Sequence, residues 1–324
     1  MLSTQLTRRA ALGGAALIAA LPAWAAVPDS VVLLAPGPEE GAAARLALRA
    51  SAGLSRGLIQ AAALRVAVLG GPDGITAANR FASAAAPDGR SLLLLPGAAA
   101  QAHLVGESRA RFEPRQWTPV AAVMRPVLVA GRGDLPGLAR APLRLALPSP
   151  DAPETAALLA LDLLGRAATP VFGLPGAGAE AAVAQGAADA MVIAGPRAAA
   201  RAQALGLSPW FSTGLLREEG PPDLPRLSAL AADAPTALLE ACAAGAAAAA
   251  TPSVIVLPAL TPADTVAPWR EAARRWVEAE PLAEDGRLLA GAEAAAACGL
   301  LCPRPEAVTA YRTWLAGRLG WRAS

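Results

Sequence analysis

Lysine is missing from this 324-residue chain, so all 28 basic residues are arginine. No amine is therefore present for a Schiff base or for a P-loop contact to phosphate. Histidine occurs once, as His103, and any Ser-His-Asp, Cys-His or multi-histidine metal arrangement would have to use it. Its neighbours Ala102, Leu104 and Val105 make a partly buried, structural position the plainer reading. Cysteine is scarce too: Cys242, Cys298 and Cys302 are an odd number, which leaves at least one unpaired. Cys298 and Cys302 can close only a small loop, and without a histidine nearby they do not make a metal site, so all three are read as small buried hydrophobes. Charged residues reach 17% and aromatics 4%, while 54% of the chain is hydrophobic and the mean hydropathy is +0.40. That balance excludes a disordered chain, and the length excludes a small disulfide scaffold and favours two medium α/β domains. Glu39 and Glu40 are adjacent, so on a helix they point apart and cannot form a facing carboxylate pair. No catalytic constellation, metal site or cofactor site emerges, and the chain is expected not to be an enzyme.

The first 26 residues read as an export signal: Arg8 and Arg9, an uncharged run from Ala10 to Leu21, then Pro22 and the small-residue pattern Ala23-Trp24-Ala25. The run of about a dozen residues is too short to span a bilayer, which needs roughly 20. Cleavage is expected after Ala25 or Ala26, and the arginine pair following Thr7 resembles a twin-arginine signal, with Ala11 where phenylalanine is usual. Removing this segment takes away two arginines and no acid, leaving 26 basic against 26 acidic residues. A neutral chain with no basic cluster lacks the footprint of a nucleic-acid or anionic-membrane binder. The uncharged stretch from Ala241 to Ala263 is broken by Pro252, Pro258 and Pro262, and reads as a buried helix followed by a buried strand, with no membrane insertion of the mature chain.

Short apolar runs alternate with alanine-rich segments, the pattern of strands covered by helices in an α/β fold. Strands are expected at Val31 to Ala35, Leu64 to Leu69, Ser91 to Leu95, Val127 to Ala130, Leu143 to Leu147, Thr169 to Phe172, Asp189 to Ile193, Pro209 to Ser212 and Ser253 to Leu257. Their nearly continuous apolar character implies mostly parallel strands buried on both faces, with ligands beyond their carboxyl ends. Thr261-Pro262-Ala263-Asp264 predicts a helix start with a capping hydroxyl and a first-turn proline, after which Val266, Trp269, Ala273 and Trp276 share one core-facing side.

Gly176-Ala177-Gly178-Ala179-Glu180-Ala181 imitates a dinucleotide fingerprint. The acid required at the end of the following strand is absent, since Asp189 comes too early. What remains is a set of Gly- and Pro-rich loops directly after strands: Pro36 to Gly41, Gly70 to Thr76, Pro96 to Ala100 and Pro148 to Thr155. Backbone amides in such turns and at helix starts can hold a carboxylate without side-chain charge; the same loops also serve as ordinary connections.

Four segments carry a family resemblance. Ala85-Ala86-Pro87-Asp88-Gly89-Arg90-Ser91-Leu92-Leu93-Leu94 is similar to an A-x-P-D-G-Y-T-L-L stretch, and Phe112-Glu113-Pro114 through Trp117-Thr118-Pro119-Val120-Ala121 to Y-D-P-x-x-D-F-x-P-V-A. Asp233-Ala234-Pro235-Thr236 with Glu240 is similar to D-V-P-T-x-x-E, and Leu257-Pro258-Ala259-Leu260-Thr261-Pro262 to A-P-A-G-T-P. These motifs belong to the extracytoplasmic solute receptors of tripartite tricarboxylate transporters, the Bug family, which the chain resembles over nearly all of its mature length. The resemblance implies a periplasmic, monomeric, two-lobed binding protein of the type II, Venus-flytrap kind. It would close on a small carboxylated solute and deliver it to the membrane permease subunits of a tripartite transporter. The first α/β lobe would hold residues 27–125 and 251–324, and the second residues 126–250.

The departures from the family pattern fall in the ligand loops. Pro38 and Gly41 replace a glycine and an aspartate of the first loop, Gly70, Pro72, Asp73, Gly74, Ile75, Thr76 and Ala78 keep only part of the second loop's glycine pattern, and Ile193 stands where the family has aspartate. The expected ligand-binding residues are Gly37, Pro38, Glu39, Gly74, Ile75, Thr76, Gly97, Ala98 and Ala99 in the first lobe. Those of the second are Ser149, Asp151, Thr155, Ala194 and Gly195. The alternative is a receptor-like scaffold or sensor partner that has lost solute binding.

Overall fold

The computed structural model describes residues 28–60, 62–135, 143–213, 224–280, 282–283 and 286–323. The expected export signal lies outside them. In chain order the strands are β1 (Ser30–Pro36), β2 (Ala63–Leu69), β3 (Ser91–Leu95), β4 (Thr118–Met124), β5 (Val127–Gly131), β6 (Leu143–Ala146), β7 (Ala168–Val171), β8 (Ala190–Ala194), β9 (Ser208–Ser212), β10 (Ser253–Leu257), β11 (Leu282–Ala283) and β12 (Gly286–Ala290). The helices are α1 (Ala42–Gly57), α2 (Ile75–Ala84), α3 (Gly97–Val105), α4 (Ala156–Leu163), α5 (Ala177–Ala184), α6 (Ala198–Ala204), α7 (Leu227–Leu230), α8 (Thr236–Ala250), α9 (Ala263–Ala279), α10 (Gly291–Leu300) and α11 (Pro305–Leu319).

The strands form two sheets, one of seven in the order β11-β12-β4-β10-β3-β1-β2 and one of five in the order β7-β6-β8-β5-β9. Each repeats one plan. A central strand (β1 or β6) lies between two parallel neighbours, and beyond them come two antiparallel strands (β10 and β4, or β5 and β9). The α/β class read from the sequence stands, with mixed rather than mostly parallel pairing. The reason is connectivity: β5 and β10 arrive from the other sheet and enter against the direction of the βαβ strands. A continuous apolar run reports burial on both faces, and that holds for antiparallel β10, all five of whose residues are buried, as well as for parallel β3.

Two short crossings join the sheets. Arg125 and Pro126 carry the chain from β4 to β5, and Thr251 and Pro252 carry it from α8 to β10. They run side by side, since the Arg125 amide donates to the Ala250 carbonyl (2.8 Å) and its guanidinium Nε to that of Ala249 (3.2 Å). Beside them lies a helical layer of α3, α4, α8 and α11. The alanine side chains of α8 serve two cores: Ala241, Ala244 and Ala246 pack with α4 and α11, and Ala247 to Ala250 pack under the larger sheet. The uncharged stretch is thus the expected buried helix and strand, and among the described residues no helix is long and apolar enough to cross a membrane.

Along α9, Val266, Trp269, Ala273 and Trp276 are buried against α1 and the larger sheet, as the helical spacing requires. The expected capping at its start differs: Pro262 is the N-cap, and the Thr261 hydroxyl donates to the Pro258 carbonyl at 2.8 Å. That bond closes the preceding turn and takes the hydroxyl away from the helix amides. Strands β4, β11 and β12 were not expected from the sequence. Pro119 sits inside β4 at a bulge opposite Ile255 and Val256, where a residue without an amide donor interrupts no ladder bond.

Candidate functional site

Because β1, β2 and β3 are parallel, their carboxyl ends and the turns that follow share one edge of the larger sheet. The first two turns touch so closely that a Cβ on Gly37 would lie 2.2 Å from the Gly70 carbonyl oxygen. Gly74, the N-cap of α2, abuts Pro96 ahead of α3, where a Cβ would meet the proline ring at 2.4 Å. Gly97 is pressed against α8, and its amide donates to the Thr251 carbonyl at 3.1 Å. Gly37, Gly74, Ile75, Gly97 and Ala99 are buried, while Pro38, Glu39, Thr76 and Ala98 face solvent.

The second sheet presents the corresponding edge. β6 and β8 are parallel neighbours, so the turn from Pro148 to Thr155 and the turn from Gly195 to Arg197 leave the sheet side by side. The Ser149 hydroxyl bonds the Asp151 carboxylate, and the buried Thr155 hydroxyl donates to the Ser149 carbonyl at 2.8 Å, which folds this loop onto itself. Ala194 is half-buried, and the amide of buried Gly195 donates to the Pro126 carbonyl at 2.9 Å. Of the family's polar strand-end position only the buried Ile193 side chain remains, packed under α5 and α6.

The two edges meet at α3. Gln101, 2% exposed, donates from Nε2 to the carbonyls of Asp151 (3.1 Å) and Ala152 (3.4 Å) and reaches the Tyr311 hydroxyl at 3.5 Å. Residues that the sequence reading assigned to separate lobes, around Ala98 and around Asp151, are therefore linked through one buried side chain. The sequence carried no signal for Gln101, since a glutamine one position past an alanine run reads as helix surface.

Amide donors, however, are fewer than the loops' composition implied. Gly74 donates to Gly71, Ile75 to the Asp73 carboxylate, Gly97 to Thr251, Ala99 to Pro96 and Gly195 to Pro126. Those groups are satisfied inside the protein and hold the turns in shape. The first-turn amides of Thr76 and Ala98, at the starts of α2 and α3, have no acceptor among the described contacts, as is general for the first amides of a helix. A cation that the sequence reading missed follows β8, one of the second sheet's parallel strands. Arg197, the N-cap of α6, is exposed, holds a left-handed backbone (φ 60°) and makes no ion pair among the described residues. Left-handed conformations are uncommon outside glycine, asparagine and aspartate, and they concentrate at functional turns.

Other charged candidates are occupied. Asp73 pairs with Arg109 at 3.1 Å, and Glu180 of the fingerprint-like segment pairs with Arg201. Asp189 accepts three bonds from Arg144 (2.8 to 3.0 Å), whose guanidinium holds its carboxyl below the usual range. His103 stacks on Phe112 with ring centres 5.9 Å apart and approaches Glu113 at 3.7 Å, and burial pushes its pKa down. These are structural pairings. A groove of about 870 Å³ opens elsewhere, between α9, the start of α10 and β4, lined by Thr118, Val266, Arg270, Arg274 and Glu293. It lies away from the carboxyl ends of the parallel strands, and its Arg270 and Arg274 are outnumbered by Glu271, Glu278 and Glu293, so it offers no net positive charge to an anionic solute.

Two sheets, of seven and five strands, that share a plan of three parallel strands followed by two antiparallel ones and are joined by paired crossings define a two-lobed α/β fold. No protein-family model and no curated protein matches the chain. Among solved structures it is similar to a TctC solute-binding protein from Polaromonas, solved without ligand: TM-score 0.66 and 15% identity, over 89% of this chain and 98% of that one. It is also similar to an R. palustris protein solved with adipate and to a periplasmic transporter. Each of these has TM-score 0.52 and 18% identity, over 91% of this chain and 98% of the other. The chain has the fold of the TctC-type periplasmic solute receptors.

Proposed function

We propose that this protein is a non-enzymatic, exported solute receptor that captures a small carboxylate-bearing solute between its two sheets and presents it to the permease subunits of a tripartite transporter. The observation that carries this reading is the meeting of both sets of parallel strand ends around α3, with first-turn amides at Thr76 and Ala98 that have no acceptor, and an Arg197 that has no ion pair, among the described residues. Amides at helix starts attract anions, and a guanidinium supplies paired donors for a carboxylate. The adipate of the R. palustris protein makes an aliphatic dicarboxylate the first solute to try. In this reading residues 1–26 are removed after Ala25 or Ala26 and the mature protein works in the periplasm. Residues 27–125 with 251–324 form one lobe, residues 126–250 the other, and the crossings at Arg125 and Thr251 are the hinge.

Calorimetric titration with adipate, citrate, an aromatic acid and a neutral amide tests it. Binding of a dicarboxylate with a dissociation constant of about 10 μM or tighter is expected, weakened at least tenfold in Arg197→Ala because a charge-assisted hydrogen bond contributes about 1.5–3 kcal/mol. The five amides satisfied inside the protein favour the second reading, a receptor-like scaffold without a solute. Silence across the whole panel would select it.

A further inference from the structure

The three cysteines take no part in the proposed solute site, and two of them sit where the chain leaves the larger sheet for the helical layer. Cys298 lies in the last turn of α10 and is 5% exposed; Cys302 follows in the bend after the helix and is half-buried. Both pack against the same core under the larger sheet, one in the last turn of α10 and the other four residues further along the chain. Residues four apart on a helix present Cβ atoms about 5–6 Å apart, and a disulfide needs about 3.5–4.5 Å. Cys302 lies beyond the helix, in a bend where its amide donates to the Gly299 carbonyl at 3.1 Å and not to a carbonyl four residues back, so its Cβ is not held at the helical spacing. The Arg115 guanidinium grips the carbonyls of Cys302 (3.2 Å) and Pro303 (2.5 Å), and the Glu240 carboxylate holds the next residue, Arg304, through its amide and its guanidinium at 2.7 Å each. The turn is therefore anchored on both sides, by Arg115 and by Glu240.

We propose that Cys298 and Cys302 form a dithiol–disulfide pair, oxidised by thiol–disulfide exchange, that staples the turn between α10 and α11 while Cys242 stays a thiol. One of the two attacks the external disulfide as its thiolate, forming a mixed disulfide and releasing one external thiol. The thiolate of the other then displaces the second external thiol and closes the protein's S–S bond. Two protein thiols lose two electrons and two protons, and one external disulfide becomes two thiols. Cys242 has no such neighbour: it is fully buried in α8, its Sγ bonded to the Ala156 carbonyl at 3.2 Å, and burial pushes its pKa up to about 12.

The native protein is incubated with oxidised glutathione, denatured, alkylated and weighed intact. One alkylated cysteine and a loss of about 2 Da relative to the reduced protein are expected, with Cys242 carrying the label and residues 298 and 302 unlabelled. Cys242→Ser keeps the mass loss, and Cys302→Ser abolishes it. Reduction is expected to lower the thermal midpoint of the oxidised protein by about 2–4 °C and to leave that of Cys302→Ser unchanged. Labelling of all three cysteines after oxidation, a bond that includes Cys242, or a bond between chains overturns the pairing. An oxidised protein whose midpoint does not respond to reduction overturns the stapling.

Discussion

A single methyl group added at position 97 would lie 2.0 Å from the Ala248 carbonyl oxygen and 2.7 Å from that of Thr251. Both atoms belong to backbone, in α8 and in the crossing that follows it, so neither can swing aside as a side-chain tip would. Gly97→Ala should therefore push α3 off α8 and cost about 1–3 kcal/mol, read as a fall in the chemical denaturation midpoint. Gly178 provides the contrast. It lies in α5, where a Cβ would make only ordinary contact with Pro175 at 3.8 Å. Gly178→Ala should be neutral or stabilising by up to about 1 kcal/mol, the usual gain from replacing glycine inside a helix. Equal losses at the two positions would show that close approach of α3 to α8 is not what demands glycine. The same scale explains what stayed hidden in the loops. Composition announces how many amides a Gly-rich turn owns, but Gly74, Gly97 and Gly195 spend theirs on Gly71, Thr251 and Pro126, and those partnerships exist only once the chain has folded. Arg197 was invisible for a related reason, since an arginine after Gly-Pro carries no sequence sign of its left-handed backbone.

At the scale of elements, strands β1 to β3 and β5 to β10 were legible, because a short, mostly apolar run bounded by turn residues is visible in composition. β4 escaped because Thr118-Pro119 opens it like a turn, and the bulge that accommodates the proline depends on its partner β10. β12 escaped because its pairing to β4 joins distant parts of the chain. Parallel and antiparallel neighbours could not be told apart, as both kinds bury two faces. The link between the two strand-end clusters also had no local signature, and it rests on Gln101. Its Nε2 holds the Asp151 and Ala152 carbonyls, whereas its Oε1 is buried with no partner among the described residues. Gln101→Met removes donor and orphaned acceptor together at nearly constant volume, and Gln101→Ala adds a cavity, so the alanine variant should be the less stable by about 1–2 kcal/mol. In both, the amides of Ala152 and Thr155, which close the 149–155 turn on Ser149 and Ala152, should exchange with solvent faster. Unchanged exchange at those two amides would remove Gln101 from its role as the link between the clusters.

The whole molecule poses a tension between the closing motion proposed for its two lobes and a core that is shared. The side chains of α8 are divided between the core around α4 and α11 and the core under the larger sheet, so neither can open without exposing α8. The last helix deepens the coupling. Tyr311 and Leu315 of α11 are fully buried against α4 and α8. Arg312 donates to the carbonyls of His103 and Leu104 at the end of α3 (2.8 and 3.0 Å), while Trp314 and Arg318 bond Asp162 of α4 at 3.0 and 3.1 Å. A helix that follows the larger sheet in sequence thus clamps helices attached to both sheets. Any closing motion has to pivot at the crossings, on the Arg125–Ala250 contact, and leave this layer intact. Equilibrium unfolding should then be one cooperative event, with calorimetric and van't Hoff enthalpies in agreement. Tyr311→Ala, which empties a fully buried aromatic site at a cost of about 3–5 kcal/mol, should lower that single transition as a unit. If scanning calorimetry of the Tyr311→Ala protein instead resolved two transitions, one unmoved from the parent, the lobes would be thermodynamically separate and the shared helical layer would not be what joins them.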